Sequence, residues 1–97
     1  MDVFEWIEKW YVSMCDGEWE HFYGIKIDTL DNPGWIVQID VLDTELENKP
    51  FQSMSNYIDD NSWLHCQVKE GKFVASGDST KLKVILEVFR NWVEDQK

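Results

Sequence analysis

The spacing of apolar residues changes period twice along this chain, and the two changes restrict the folds open to it. Val3, Phe4, Ile7, Trp10, Tyr11 and Met14 recur every three or four positions. That spacing puts them on one stripe of a helix over roughly residues 2 to 14, with Asp2 at its start and Gly17 at the reversal after it. From Trp19 the period drops to two: Trp19, His21, Tyr23, Ile25 and Ile27 alternate with Glu20, Phe22, Gly24, Lys26 and Asp28. A strand with one face on a core alternates in this way. Trp35, Val37, Ile39 and Val41 resume the pattern after TLDNPG, so the two runs read as an antiparallel hairpin. The helical period returns only in Leu82, Ile85, Leu86, Phe89, Trp92 and Val93, with Asp78 or Ser79 available as a cap.

The connections carry their own signals. Pro33 fixes φ at the second position of a turn and Gly34 suits the positive φ of a type II turn, which predicts a wide acidic loop over Thr29 to Gly34. SWLHCQVK and KFVASG form a second hairpin through Glu70-Gly71. Residues 43 to 61 lack clear periodicity and contain Pro50, so they read as a long connection with Phe51, Met54 and Tyr57 as anchors. The expected fold is α+β: a four-stranded antiparallel sheet flanked in sequence by an N-terminal and a C-terminal helix, both packed on one face. The other face would carry Glu20, Phe22, Lys26, Gln38 and Asp40.

A chain of 97 residues makes one domain, and 43% hydrophobic residues with six tryptophans supply its core. No apolar run approaches the roughly 20 residues that span a bilayer, and MDVFEWIEKW lacks the pattern of a secretory signal. The expectation is a cytoplasmic protein that does not bind membranes, with Cys15 and Cys66 as reduced thiols.

The net charge of −10 would repel a phosphate backbone, which argues against nucleic acid as a partner. Between residues 16 and 47 Asp16, Glu18, Glu20, Asp28, Asp31, Asp40, Asp43, Glu45 and Glu47 face the single cation Lys26. A surface of one sign steers a partner of the other, so a basic protein is the natural counterpart.

Catalytic chemistry finds less support. Cys15, His21, His65 and Cys66 could supply four zinc ligands, but no metal-ligand spacing is present and neighbours in a strand point to opposite faces. Cys15 at the end of the first helix, among Asp16 and Glu18, sits where a thiolate is disfavoured. Glu18 and Glu20 fall on one side of an ideal strand without a nucleophile or phosphate loop beside them. No cofactor is expected. The binding reading joins acids to aromatic anchors, and its candidate residues are Asp16, Glu18, Glu20, Phe22, Asp28, Asp31, Asn32, Trp35 and Asp40.

Two ordered motifs then suggest a family. CDGEWEHFYG supplies Cys15, Asp16, Gly17, Trp19, Glu20, His21, Tyr23 and Gly24, TLDNPGW supplies Thr29 to Trp35, and Gly77, Leu82, Phe89 and Trp92 follow near the end. In these elements the chain resembles the immunity protein 53 family, small bacterial proteins associated with polymorphic toxin systems. The resemblance implies binding and neutralisation of a cognate toxin without catalysis, and joined to the acidic bias it predicts a basic toxin such as a nuclease. Two other readings stay open: a small metal-dependent hydrolase using Glu18, Glu20, His21 and Asp31, and an acidic adaptor for some other basic protein. Exposed sheet edges would also permit a homodimer.

Overall fold

The computed structural model describes residues 1–95. Helix α1 spans Val3–Met14, and its first turn is closed by Asp2, whose Oδ1 accepts the Glu5 N–H at 2.9 Å. A one-turn helix α2, Trp19–Phe22, follows. The strands are β1 Ile25–Leu30, β2 Gly34–Asp40, β3 Met54–Asp59, β4 Ser62–Lys69 and β5 Lys72–Gly77, and helix α3 covers Leu82–Glu94. All strand pairs are antiparallel, in the order β1-β2-β5-β4-β3.

Side-chain alternation gives this sheet two unlike faces. Val37, Ile39, Phe73, Ala75 and Cys66 share one face and are fully buried against Val3, Ile7 and Trp10 of α1 and Ile85, Leu86, Phe89 and Trp92 of α3. Phe89 is the hub, meeting the rings of Trp10 at 5.0 Å and Phe73 at 5.2 Å. The opposite face carries Lys26, Asp28, Ile36, Gln38, Asp40, Val74, His65 and Gln67, and no helix among the described residues covers it. The α+β class and the two helices on one face thus match the fold that the apolar spacing predicts.

Four details differ from it. The sheet has five strands: β3 lies inside the stretch read as a connection, because every residue of this edge strand is exposed and leaves no apolar alternation to detect. Residues Trp19–Phe22 are helical, so the first strand starts at Ile25 and His21 is exposed instead of facing the core. Leu30 pairs with Gly34, so the first hairpin loop is narrower than predicted, and Gly34 belongs to the strand without a positive φ. Helix α3 begins after Lys81 with no side-chain cap; Asp78 instead organises the turn before it.

Gly34 is required by closeness, not by φ: a Cβ there would sit 2.5 Å from the Gly77 carbonyl oxygen and 3.3 Å from the Trp63 ring. The hairpin through Glu70 and Gly71 does need positive φ, at 54° and 76°, as a two-residue turn with the right twist demands.

Candidate functional site

CDGEWEHFYG folds into a closed local unit. Asp16 Oδ1 accepts the N–H groups of Glu18 and Trp19, both at 2.9 Å, while the Glu20 carboxylate reaches back to the N–H groups of Asp16 and Gly17 at 3.0 and 2.9 Å. This reciprocal arrangement fixes the turn that leads into α2, and Asp16 satisfies the first N–H of the helix, that of Trp19. The Trp19 and Glu18 amides hold the Asp16 carboxyl below its usual range; Glu20 is lowered by its own amide and then by those of Asp16 and Gly17. Gly17 turns the chain at φ +96°.

Trp19 then locks the unit to the body of the fold. It is 4% exposed, its indole N–H donates to the Leu42 carbonyl at 3.1 Å, and its ring meets Trp10, Tyr11 and Tyr23 within 6.2 Å. Because Leu42 lies in the loop after β2, this bond draws that loop against α2. Asp43 follows at φ +58°, with its N–H held by the Glu47 carboxylate at 2.8 Å.

The result is an acidic corner at one end of the sheet. Asp16, Glu18, Trp19, Phe22, Tyr23 and Asp43 line a cleft of about 300 Å³. Asp40 and Glu47 stand close enough to act on Tyr23: burial raises the Tyr23 phenol above its usual value, Asp43 raises it next, and Asp40 and Glu47 add to the shift. Phe22 projects from the middle, 77% exposed. Asp40 also accepts the Gly24 N–H at 2.9 Å, so its carboxylate replaces a strand carbonyl. Among the described residues no ion pair reaches these acids, although Lys72 stands opposite Asp40 across the β2–β5 ladder.

The sequence-predicted residues therefore divide. Asp16, Glu18, Glu20, Phe22 and Asp40 come together at this corner. Asp31 and Asn32 lie in the exposed turn at the far end of β1, about 20 Å away at the rise of an extended strand. Asp28 is exposed mid-strand, and Trp35 is half-buried on the helix side with its indole N–H donating to Ser79 O at 3.0 Å. Tyr23, Asp43 and Glu47 belong to the corner but were not among the predicted residues; the acid run of residues 40–47 was the available signal. The set Glu18, Glu20, His21 and Asp31 is not assembled, and among the described residues no three His, Cys, Asp or Glu side chains form a metal-binding group. Burial lifts the Cys66 thiol to about 11, and Cys15 donates its S–H to Tyr11 O at 3.3 Å, so neither is arranged as a nucleophile.

The other motif residues are also placed by folding. Gly77 passes so close to Lys81 that a Cβ would meet that side chain at 2.7 Å. Asp78, 2% exposed, accepts the Trp63 N–H, the Thr80 N–H and hydroxyl, and the Lys81 ammonium at 2.7 Å. These contacts, Lys81 first and Thr80 next, hold its carboxyl far below the usual range. No helix is long and apolar enough to cross a membrane among the described residues.

Comparison with curated proteins and with solved structures returned no match. A family model, by contrast, matches residues 4–94, nearly the whole chain, and takes in both the acidic corner and the Gly77–Asp78 junction. That match shows that the chain belongs to the immunity protein 53 family.

Proposed function

We propose that this protein binds and neutralises a cognate bacterial toxin, and that it meets the toxin through the acidic corner. The observation that carries the reading is the exposed Phe22 set among Asp16, Glu18 and Asp43, with no ion pair to any of them among the described residues. An aromatic anchor surrounded by uncompensated charge combines the group that dominates interface energies with the field that accelerates encounter. The complementary toxin surface is basic. A nuclease groove fits that description, because a surface that attracts phosphates also attracts a wall of carboxylates.

Neutralisation then needs no chemistry from this chain. The corner would cover the substrate groove, the carboxylates would occupy phosphate positions, and the bonds from main-chain amides would hold Glu20 and Asp16 in place before contact. Such preorganisation lowers the ordering cost of binding. The test is co-expression of the toxin encoded beside this protein, with and without the Glu18→Lys/Asp43→Lys variant. The wild-type chain should restore growth and pull down the toxin, and the variant should do neither. Rescue by the variant at wild-type level would remove the corner from the account.

A further inference from the structure

The sheet has two edges, and they are built differently. Edge strand β3 carries a register shift between Tyr57 and Asp59, a bulge of the kind that breaks up a pairing surface. Edge strand β1 runs in unbroken register against β2 from Ile25 to Leu30, with neither proline nor bulge. The Asp40 N–H donates to Gly24 O, which sets the phase of the ladder. Lys26, Asp28 and Leu30 therefore bond to β2, and Ile25, Ile27 and Thr29 turn their main-chain groups outward.

The side chains along this edge are also organised. On the helix side, Ile7, Tyr11, Ile25 and Ile27 line a mostly apolar groove of about 370 Å³, with Ile27 45% and Tyr11 38% exposed. On the open side, Lys26 and Asp28 stand exposed and two residues apart, and neither closes an ion pair among the described residues.

We infer that β1 is a self-association edge, and that a second copy of this chain adds to it antiparallel about a two-fold axis at Ile27. The phase of the ladder allows such an axis at any residue from Ile25 to Thr29, and an axis at Lys26 or Asp28 sets that charge against its own copy. An axis at Ile25 sets Lys26 opposite Gly24, and one at Thr29 sets Asp28 opposite Leu30. Only Ile27 sets Lys26 opposite Asp28 of the second copy, and it does so twice. Those pairs fall at non-hydrogen-bonded positions, where opposite Cα atoms approach to about 4.5 Å and side chains interact best. Ile27 meets its own copy over the apolar groove, and Thr29, whose N–H is held by Asp28 at 2.8 Å in the single chain, donates instead to Ile25 of the second copy.

Two consequences follow from this register. A six-residue edge is smaller than a standard interface of about 1,600 Å², and a charge of −10 on each chain opposes association, so the dimer is weak and concentration-dependent. Leu30 of the second copy lies opposite Gly24, which brings its Asp31–Asn32 turn beside Tyr23. The dimer thus unites candidate residues that one chain holds apart, and its existence does not depend on any toxin.

Sedimentation velocity on the full chain, from low micromolar to several hundred micromolar at physiological ionic strength, tests the inference. The wild-type chain should shift from monomer to dimer. Lys26→Asp and Asp28→Lys each place like charges opposite one another twice, and each should weaken the dimer at least ten-fold with an unchanged far-UV circular dichroism spectrum. Mixing the two variants should restore association, because Asp at 26 then faces Lys at 28. A chain that stays monomeric, a dimer that both variants leave intact, or a mixture that fails to associate would each overturn the assignment.

Discussion

The two ends of the sheet use one device with opposite electrostatic outcomes. At one end Asp78 accepts the Trp63 N–H in place of a strand carbonyl, and at the other Asp40 accepts the Gly24 N–H in the same way. Asp78 is buried and answered by the Lys81 ammonium and by Thr80. Asp40 sits with Asp43, Glu47 and the α2 acids, and no cation closes on it among the described residues. A carboxylate compensated within the chain completes a fold. One left uncompensated beside an exposed aromatic ring is available to a partner.

Removing the structural supports should have the largest effects. Trp19→Ala deletes the ring and the indole bond that join α2 to the loop after β2, and should cost about 3–5 kcal/mol in urea unfolding, the usual range for a buried aromatic. It should also abolish toxin binding, because Phe22 and Asp43 lose their common frame. Gly34→Ala attacks the other end by pressing a methyl group onto the Gly77 carbonyl, and should cost about 3 kcal/mol by overpacking. It should leave binding intact wherever the protein remains folded. Equal loss of binding per unit of lost stability in both variants would contradict the division of labour between the ends.

Acid titration sharpens the same contrast. Asp78 has a folded-state carboxyl well below its ordinary value of 3.8, so its contribution to stability is present above that value and is lost as pH falls through and below it. Asp16 and Glu20 shift in the same direction, with their amides as the cause. Unfolding free energy should therefore hold steady near neutral pH and decline below about pH 4. Asp78→Asn should lower stability at neutral pH and flatten that decline. An unchanged acid limb in the variant would show that Asp78 is not its main source.

How much of this was legible in the sequence depended on whether a residue's neighbours were local. The stripes of α1 and α3 and the alternation of β2 come from burial on one side and could be read directly. Trp19 and Tyr23 could not be assigned that way, because an interval of four lies on one face of a strand and one face of a helix alike. β3 left no trace because its stability is borrowed from β4 and none of its side chains is buried. Asp43 and Glu47 were visible as charge, but their approach to α2 depends on the bond from Trp19 to Leu42, a contact 23 residues apart in sequence.

The smallest effect on stability should come from Phe22→Ala. With 77% of the residue exposed, unfolding should change by less than about 0.5 kcal/mol. Binding should weaken by about 2 kcal/mol, as for an interface anchor. A variant that binds normally would move the anchor elsewhere on the surface.

If uncompensated charge at the α2 corner recruits the toxin, the association rate reads it most directly. Stopped-flow or surface-based kinetics with the purified toxin, repeated across salt concentration, should show association slowing steeply as salt rises. Glu18→Lys/Asp43→Lys should slow it at low salt and flatten the dependence, while a charge reversal at Asp31 in the monomer should change it little. A rate independent of salt, or equally sensitive to both ends of β1, would contradict the account.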